Sequence, residues 1–453
     1  LATLSLLALG AATVLTGCGE GPAAGQPLSG EPMAIREMPI APTIPTNASR
    51  GSIRGKRKKT GWRSSLMTEE GTAGPEPLDI PIATKTWNRF GVDLFRQLAG
   101  KADADVAVSP LSVHQGLAMA DVGATGQCRN QMEAVLGDIG PVRKSNGIAM
   151  ANSIWVRKGQ FPPIKAKYQQ QVKQAFQAEA RDFVGVDPTP INQWVENATR
   201  GKIRDLIPEL SDEVRVVLAN AVYFNGNWEA PFKLSKTEGV CFDFDNKEVD
   251  CDMMYNSAGN MKVATAREVK AVRLPYKEGG LYATVLLPSD SGRETMSNMI
   301  ENFQDLWDDL WSGWRTVDCM RLGMPRFKVE DSQSLGGVLR DMGMATAFSD
   351  DPGNFGEISD EDLKISEVRH KVTIEVNEQG TVATGATEVE LVAATCSAYP
   401  KEVEEFELMA NRPFVFVVSD KQGRVVFMAR VTFARQAALP PPRCSTFSDV
   451  ELK

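Results

Sequence analysis

Histidine is nearly absent, with two in 453 residues, His114 and His370. A hydrolase that depends on an imidazole base has only these to draw on, and no GxSxG elbow or acidic partner motif accompanies either. His114 falls five residues into an expected helix and His370 opens a strand-like run, so both read as structural. No pair among the seven cysteines has CxxC spacing, and with so few histidines no metal site is expected. A GxxxxGK[ST] loop and a GxGxxG turn after a strand are also missing, which leaves a nucleotide cofactor without a seat. Paired-carboxylate chemistry has no positive support, since 58 acidic residues offer only chance pairs. Neither sign of charge dominates: 50 basic against 58 acidic residues give −8, and nothing global draws the chain to nucleic acid or an anionic membrane. The chain is therefore expected to be neither an enzyme nor a cofactor carrier.

What is present is a soluble globular composition, 42% hydrophobic and 24% charged. The N-terminal apolar run, Leu4, Leu6, Leu7 and Leu9, leads to Leu15-Thr16-Gly17-Cys18 and is too short to span a bilayer. That tetrad resembles the lipobox of bacterial lipoproteins, whose cysteine becomes the lipidated first residue. It implies a signal segment over 1–18, a membrane tie only through Cys18, and an extracellular or cell-envelope (outer-membrane) location. Residues 19–80, rich in Gly, Pro, Ala and Ser and carrying the basic run Arg54 to Lys59, read as a flexible linker. Export permits disulfides among Cys128, Cys241, Cys251, Cys319, Cys396 and Cys444. Cys241 and Cys251 lie symmetrically about Asn246 in a hairpin-like stretch, so a three-residue turn would set them opposite each other, and this is the one pairing expected.

Order is expected over 81–436, with a C-terminal tail over 437–453. Phe90, Leu94 and Leu98 follow Trp87 at helical spacing. Ser109-Pro110 has the chemistry of a helix start, a capping hydroxyl before a proline, and the helix runs toward Gly123. Thr125 is placed as cap of a third helix that Gly137 ends, and a fourth carries Ile191, Trp194, Val195 and Ala198 on one stripe. Strand patterns occupy 149–156, 214–224, 272–275, 282–287, 372–376, 414–418 and 425–431, the last two joined through Asp420-Lys421-Gln422-Gly423. Helices gather early and strands late, without βα alternation or a long-period repeat, which argues for an α+β fold.

The stretch 381–398 is unusual, because more than thirty residues separate Gly380 from Arg412-Pro413 and compact domains seldom carry so long a connection without a use. Thr381, Ala383, Gly385, Thr387, Val389, Leu391 and Ala393 are all uncharged, while Glu388 and Glu390 fall on the other parity. That alternation describes a strand with one buried face, written in residues too small to form a strong strand alone.

At this point the chain resembles the serpin family, from about residue 84 to about 434. The motifs are Val108-Ser109-Pro110-Leu111-Ser112, Gly123-Ala124-Thr125-Gly126, Asn192 to Val195 with Thr199 to Ile203, Leu218 to Phe224 with Asn225-Gly226-Asn227-Trp228, Val372 to Gly380, and Asn411-Arg412-Pro413-Phe414. The resemblance implies helices packed on a large mixed β-sheet plus smaller sheets, with an exposed reactive-centre loop. It also implies a shutter of Ser109, Ser112, Asn220 and His370 and a breach of Trp228, Arg326 and Glu378. The hinge it implies includes Glu378, Gly380, Thr381, Ala383, Gly385 and Thr387, although Val382 stands where the family commonly has an acidic residue. Family spacing puts the scissile bond at Ala394-Thr395, with Tyr399 the alternative if the register shifts.

The implied function is inhibition of a serine endopeptidase by a single-use mechanism: the cut loop inserts as a new strand and traps the protease, a covalent partner, while the inhibitor acts as a monomer. Ala394 at the cut suits an elastase-like or subtilisin-like enzyme. The other readings are a non-inhibitory serpin, acting as carrier or chaperone, and a cross-class inhibitor of cysteine proteases.

Overall fold

The computed structural model describes residues 84–100, 104–137, 148–158, 164–244, 247–277, 280–381 and 405–433. The lipobox with Cys18, the linker, Cys396, Cys444, the loop beyond Thr381 with Ala383, Gly385, Thr387, Ala394, Thr395 and Tyr399, and the C-terminal tail all lie outside the described residues.

Helix α1 (Thr84–Ala99) presents Phe90, Leu94, Phe95 and Leu98 to the interior, as its spacing requires. All fourteen residues of α2 (Pro110–Gly123) are buried, and Ser109 caps it by accepting the Ser112 amide at 3.2 Å. Thr125 does stand at the N-cap position of α3 (Gly126–Leu136), but its hydroxyl makes no cap bond and donates instead to the carbonyl of Gly353. Gly137, at φ 74°, ends that helix. Helix α4 (Ala166–Phe176) buries Tyr168, Val172 and Phe176, and α5 (Thr189–Ala198) buries Ile191 and Val195 while Ala198 is exposed. Helices α6 (Arg293–Glu301), α7 (Phe303–Ser312) and the single turn α8 (Gly336–Leu339) follow.

Three sheets organise the strands. The main one runs β3 (Glu179–Phe183), β2 (Ile148–Arg157), β4 (Val216–Phe224), β14 (Ile365–Asn377), then at its upper end β15 (Gly380–Thr381) and β5 (Gly226–Asn227). Strand β13 (Phe327–Ser334) pairs with the other edge of β14. A second sheet has the order β1 (Val106–Val108), β18 (Val425–Val431), β17 (Phe414–Asp420), β10 (Leu281–Pro288), β9 (Val269–Pro275), β8 (Met261–Ala266), β11 (Arg315–Val317). The third is β16 (Glu405–Met409), β12 (Cys319–Pro325), β7 (Lys247–Ala258), β6 (Thr237–Phe244). One core lies between the sheets, with Phe224, Trp228, Phe242, Val272, Phe327, Ile374 and Phe416, and another under the helices, with Phe95, Leu117, Met119, Trp307 and Met428.

Strand β14 is much longer than the 372–376 read from sequence. Its lower half alternates Glu367, Arg369 and Lys371 with buried Val368, His370 and Val372, so the charged outward face hides the strand from a search for apolar residues. His370 accordingly sits mid-strand rather than at a strand start.

The expected Cys241–Cys251 disulfide does not form. The β6–β7 hairpin turns in two residues, with Phe244 opposite Lys247, so Cys241 faces Asp250 and Cys251 faces Val240. A register one residue away from that of a three-residue turn sends the two thiols to opposite faces. Cys251 is a free, buried thiol, as is Cys128, whereas Cys241 and Cys319 are disulfide-bonded.

Candidate functional site

Strands β4 and β14 run parallel at the middle of the main sheet, with Leu218 opposite Val368, Asn220 opposite His370 and Tyr223 opposite Thr373. No strand stands between them along this seam. A row of polar side chains crosses it, because β2 sets Asn152 opposite Asn220 and β13 sets Gln333 opposite His370.

His370 is fully buried, and Nε2 accepts the Ser109 amide at 3.1 Å. Nδ1 therefore carries the proton and donates to the Asn220 carboxamide oxygen across the seam. Burial holds the imidazole neutral, its pKa lowered to about 3. The Asn220 amide group faces the Ser112 carbonyl at 2.6 Å, the Ser112 hydroxyl at 2.7 Å and Asn152 Oδ1. The Ser109 hydroxyl donates to the Val426 carbonyl at 2.9 Å. All four expected shutter residues thus meet, on α2 and the two seam strands. Asn152 is the member that sequence reasoning missed; its only signal was an amide at an inward position of an apolar strand. His114 is elsewhere, donating from Nε2 to the last carbonyl of α3, Leu136, at 3.1 Å, with burial lowering its pKa to about 4.

At the top of the sheet the chain leaves β14, turns at Glu378-Gln379 and comes back as β15. The turn is pinned by backbone bonds of 2.9 Å from Trp228 N–H to the Gln379 carbonyl and from Phe232 N–H to the Glu378 carbonyl, and the Trp228 indole donates to the Asn377 carbonyl at 2.9 Å. Arg326 grips the nearly buried Glu378 carboxylate through Nε at 2.8 and 2.9 Å and through Nη2, and Thr237 donates to it at 2.6 Å. Burial pushes the Glu378 pKa up, but these hydrogen bonds outweigh it and hold the carboxyl below its usual range. Arg326 also reaches Asp252 at 3.2 Å. The three expected breach residues are together, and Thr237 and Asp252 are additions that no sequence spacing signalled.

The hinge begins inside the sheet. Strand β15 pairs antiparallel with β14, Thr381 opposite Val376, and on its other edge with β5, Thr381 opposite Gly226. A Cβ at Gly380 would lie 2.1 Å from the Gly226 carbonyl oxygen, so only glycine allows this approach. Thr381 is fully buried, and its hydroxyl meets the Tyr276 hydroxyl at 2.6 Å. Tyr276 lies parallel to the Trp228 indole, centroids 4.6 Å apart, and edge-on to Phe224 at 4.9 Å. Tyr276 was not anticipated either, since it stands 105 residues from the residue it holds.

Among the described residues no cluster of His, Cys, Asp or Glu could hold a metal, and no helix is long and apolar enough to cross a membrane. The main sheet holds a closed parallel seam between β4 and β14, with the short strand β15 at its upper end.

Residues 85–433 match the family described as Serpin (serine protease inhibitor). A serpin-like protein of Thermococcus kodakarensis is 32% identical over 402 residues, covering 81% of this chain and 89% of its own. Among solved structures, Serpin48 of the insect Tenebrio molitor superposes with a TM-score of 0.68 at 25% identity, covering 79% of this chain and 99% of that one. The thermophilic serpin tengpin in its native state gives 0.70 at 24%, covering 82% and 98%, a likeness of fold.

Proposed function

The chain belongs to the serpin family, and we propose that it inhibits a serine endopeptidase by offering its loop as substrate and inserting the cut loop into the main sheet. The observation that carries this reading is Thr381, already docked between β14 and β5 above the closed β4–β14 seam.

Carried downward, the antiparallel register that sets Thr381 against Val376 would bring Ala383 opposite Ile374, Gly385 opposite Val372 and Thr387 opposite His370. Each is a small or hydroxyl residue meeting an inward position of β14. Thr387 would arrive where His370 now donates to Asn220, so its hydroxyl can take over a bond that opening the seam breaks. The exchange replaces one parallel pairing with two antiparallel ones. About a dozen new ladder bonds at ~1 kcal/mol each give on the order of 10 kcal/mol before ordering costs. That is comparable with the whole stability of a folded protease.

In the chemistry that follows, the protease serine attacks the carbonyl of Ala394, the amine of Thr395 leaves, and the acyl-enzyme is carried off by insertion before water can cleave it. The serpin supplies no catalytic group. Ala394 suits the small primary pocket of elastase-like or subtilisin-like enzymes, whereas a trypsin-like pocket would keep its acid unpaired. Export and a lipid on Cys18 are part of the same proposal, supported by Leu15-Thr16-Gly17-Cys18.

The test is incubation with elastase-like, subtilisin-like, trypsin-like and papain-like proteases, followed by denaturing electrophoresis and the mass of the released peptide. A denaturation-stable complex with an elastase-like or subtilisin-like enzyme and a peptide starting at Thr395 is expected. Complexes only with the papain-like enzyme would make it a cross-class inhibitor, and none at all would favour a carrier or chaperone.

A further inference from the structure

We propose that Tyr276 is a positioning residue for the hinge: its hydroxyl latches Thr381 into the main sheet before any protease arrives, so that insertion starts from a strand already begun.

The geometry isolates the contact. Tyr276 and Thr381 are both buried, their hydroxyls 2.6 Å apart, and burial pushes the phenol pKa up so that it stays a neutral donor and acceptor. The ring cannot swing away, because Trp228 covers one face and Phe224 abuts it edge-on. Trp228 in turn is tied to the hinge turn through the carbonyls of Asn377 and Gln379. The phenol is thus aimed at one point by groups that themselves hold the segment leading to it. Tyr276 also closes β9, where its amide donates to the Leu281 carbonyl at 3.1 Å, so the latch is anchored in the second sheet and does not travel with β4 or β14.

A threonine with no partner here would gain little by staying. Its hydroxyl would be left unsatisfied in a dry site, and the two-residue β15 has few other bonds to keep it in place. Ala383, the next inward position, has no hydroxyl, so the second rung offers no such catch. Below it the seam is closed from Thr373 and Tyr223 downward. The latch therefore fixes a resting depth: one rung in, with the costly start of a new strand complete and the seam unopened.

The latch itself does not depend on the inhibitory reading; only its kinetic consequence does. Tyr276→Phe keeps the ring and its stacking and deletes the hydroxyl, and Thr381→Val deletes the partner. Either single change removes the bond that joins them, and so does the pair together. Hydrogen exchange of the peptide spanning residues 378–381, measured on the uncleaved protein without protease, should quicken about tenfold in each single variant and no further in the double variant, because the two hydroxyls act through one bond. Exchange unchanged in the singles, or a double variant faster than either, would overturn the latch. With a protease that the parent traps, the stoichiometry of inhibition should rise in the singles and stay raised in the double, at an unchanged rate of first cleavage. Should the chain trap no protease, the exchange result still decides the latch and the inhibitory reading fails separately.

Discussion

His370 and Asn220 face each other across the parallel seam of the main sheet, and the proton on His370 Nδ1 closes it. Nε2 of the same ring accepts from Ser109, and that second bond requires a neutral imidazole.

Acid should therefore weaken the fold through its two histidines. Both have folded-state pKa values lowered, His370 to about 3 and His114 to about 4, against an ordinary 6.5. Below 6.5 the unfolded chain takes up protons that the native chain refuses. The stability they contribute is present above that pH and lost as pH falls, by up to about 1.4 kcal/mol per pH unit for each ring. Urea midpoints between pH 7.5 and 5 should fall less steeply in His114→Gln than in the parent, whatever its stability at pH 7.5. Equal slopes would mean that His114 is protonated in the native state.

Under the proposed mechanism, Thr381→Arg should leave the chain a substrate of the protease and no longer its inhibitor. The position is fully buried and already inside the sheet, so a guanidinium there is either expelled with the hinge or costs several kcal/mol. Trapping is a race with deacylation, and ~3 kcal/mol on the insertion barrier is more than a hundredfold in rate. Glu388→Arg, on the opposite parity, should change the stoichiometry of inhibition little. Thr381→Arg still trapping one protease per molecule would sink insertion as the mechanism.

Glu378→Gln should loosen the top of the sheet. It removes the charge that Arg326 grips and weakens the Thr237 bond, at a cost of about 1–3 kcal/mol. Inhibitory activity should decay faster than the parent's on prolonged warming, as uncut loop slips into the seam. Matching decay curves would show that this ion pair does not guard the sheet.

Thiol mapping under non-reducing conditions should find Cys251 unpaired. Burial raises its pKa to about 12, so alkylation at pH 8 should be negligible until the chain is unfolded. A Cys241–Cys251 peptide would contradict the two-residue hairpin turn.

The order of motifs determined the family, and with it the shutter and breach positions, because Ser109-Pro110, Asn220 and Glu378 each sit in a local pattern that announces itself. The capped start of α2 was legible for the same reason: a hydroxyl before proline acts within one turn. Local pattern also suggested an alternating parity over 381–391, of which Thr381 lies among the described residues and is buried. It could not tell that Thr381 was already inside the sheet, since that depends on Tyr276, 105 residues away. Asn152 joined the shutter only because β2 pairs with β4 in one register. The cysteine pairing failed at the same level, where one residue more or fewer in a turn exchanges the two faces of a strand. Composition and spacing act along the chain, whereas register, turn length and the partner of a buried hydroxyl are settled by which distant strands come to lie side by side.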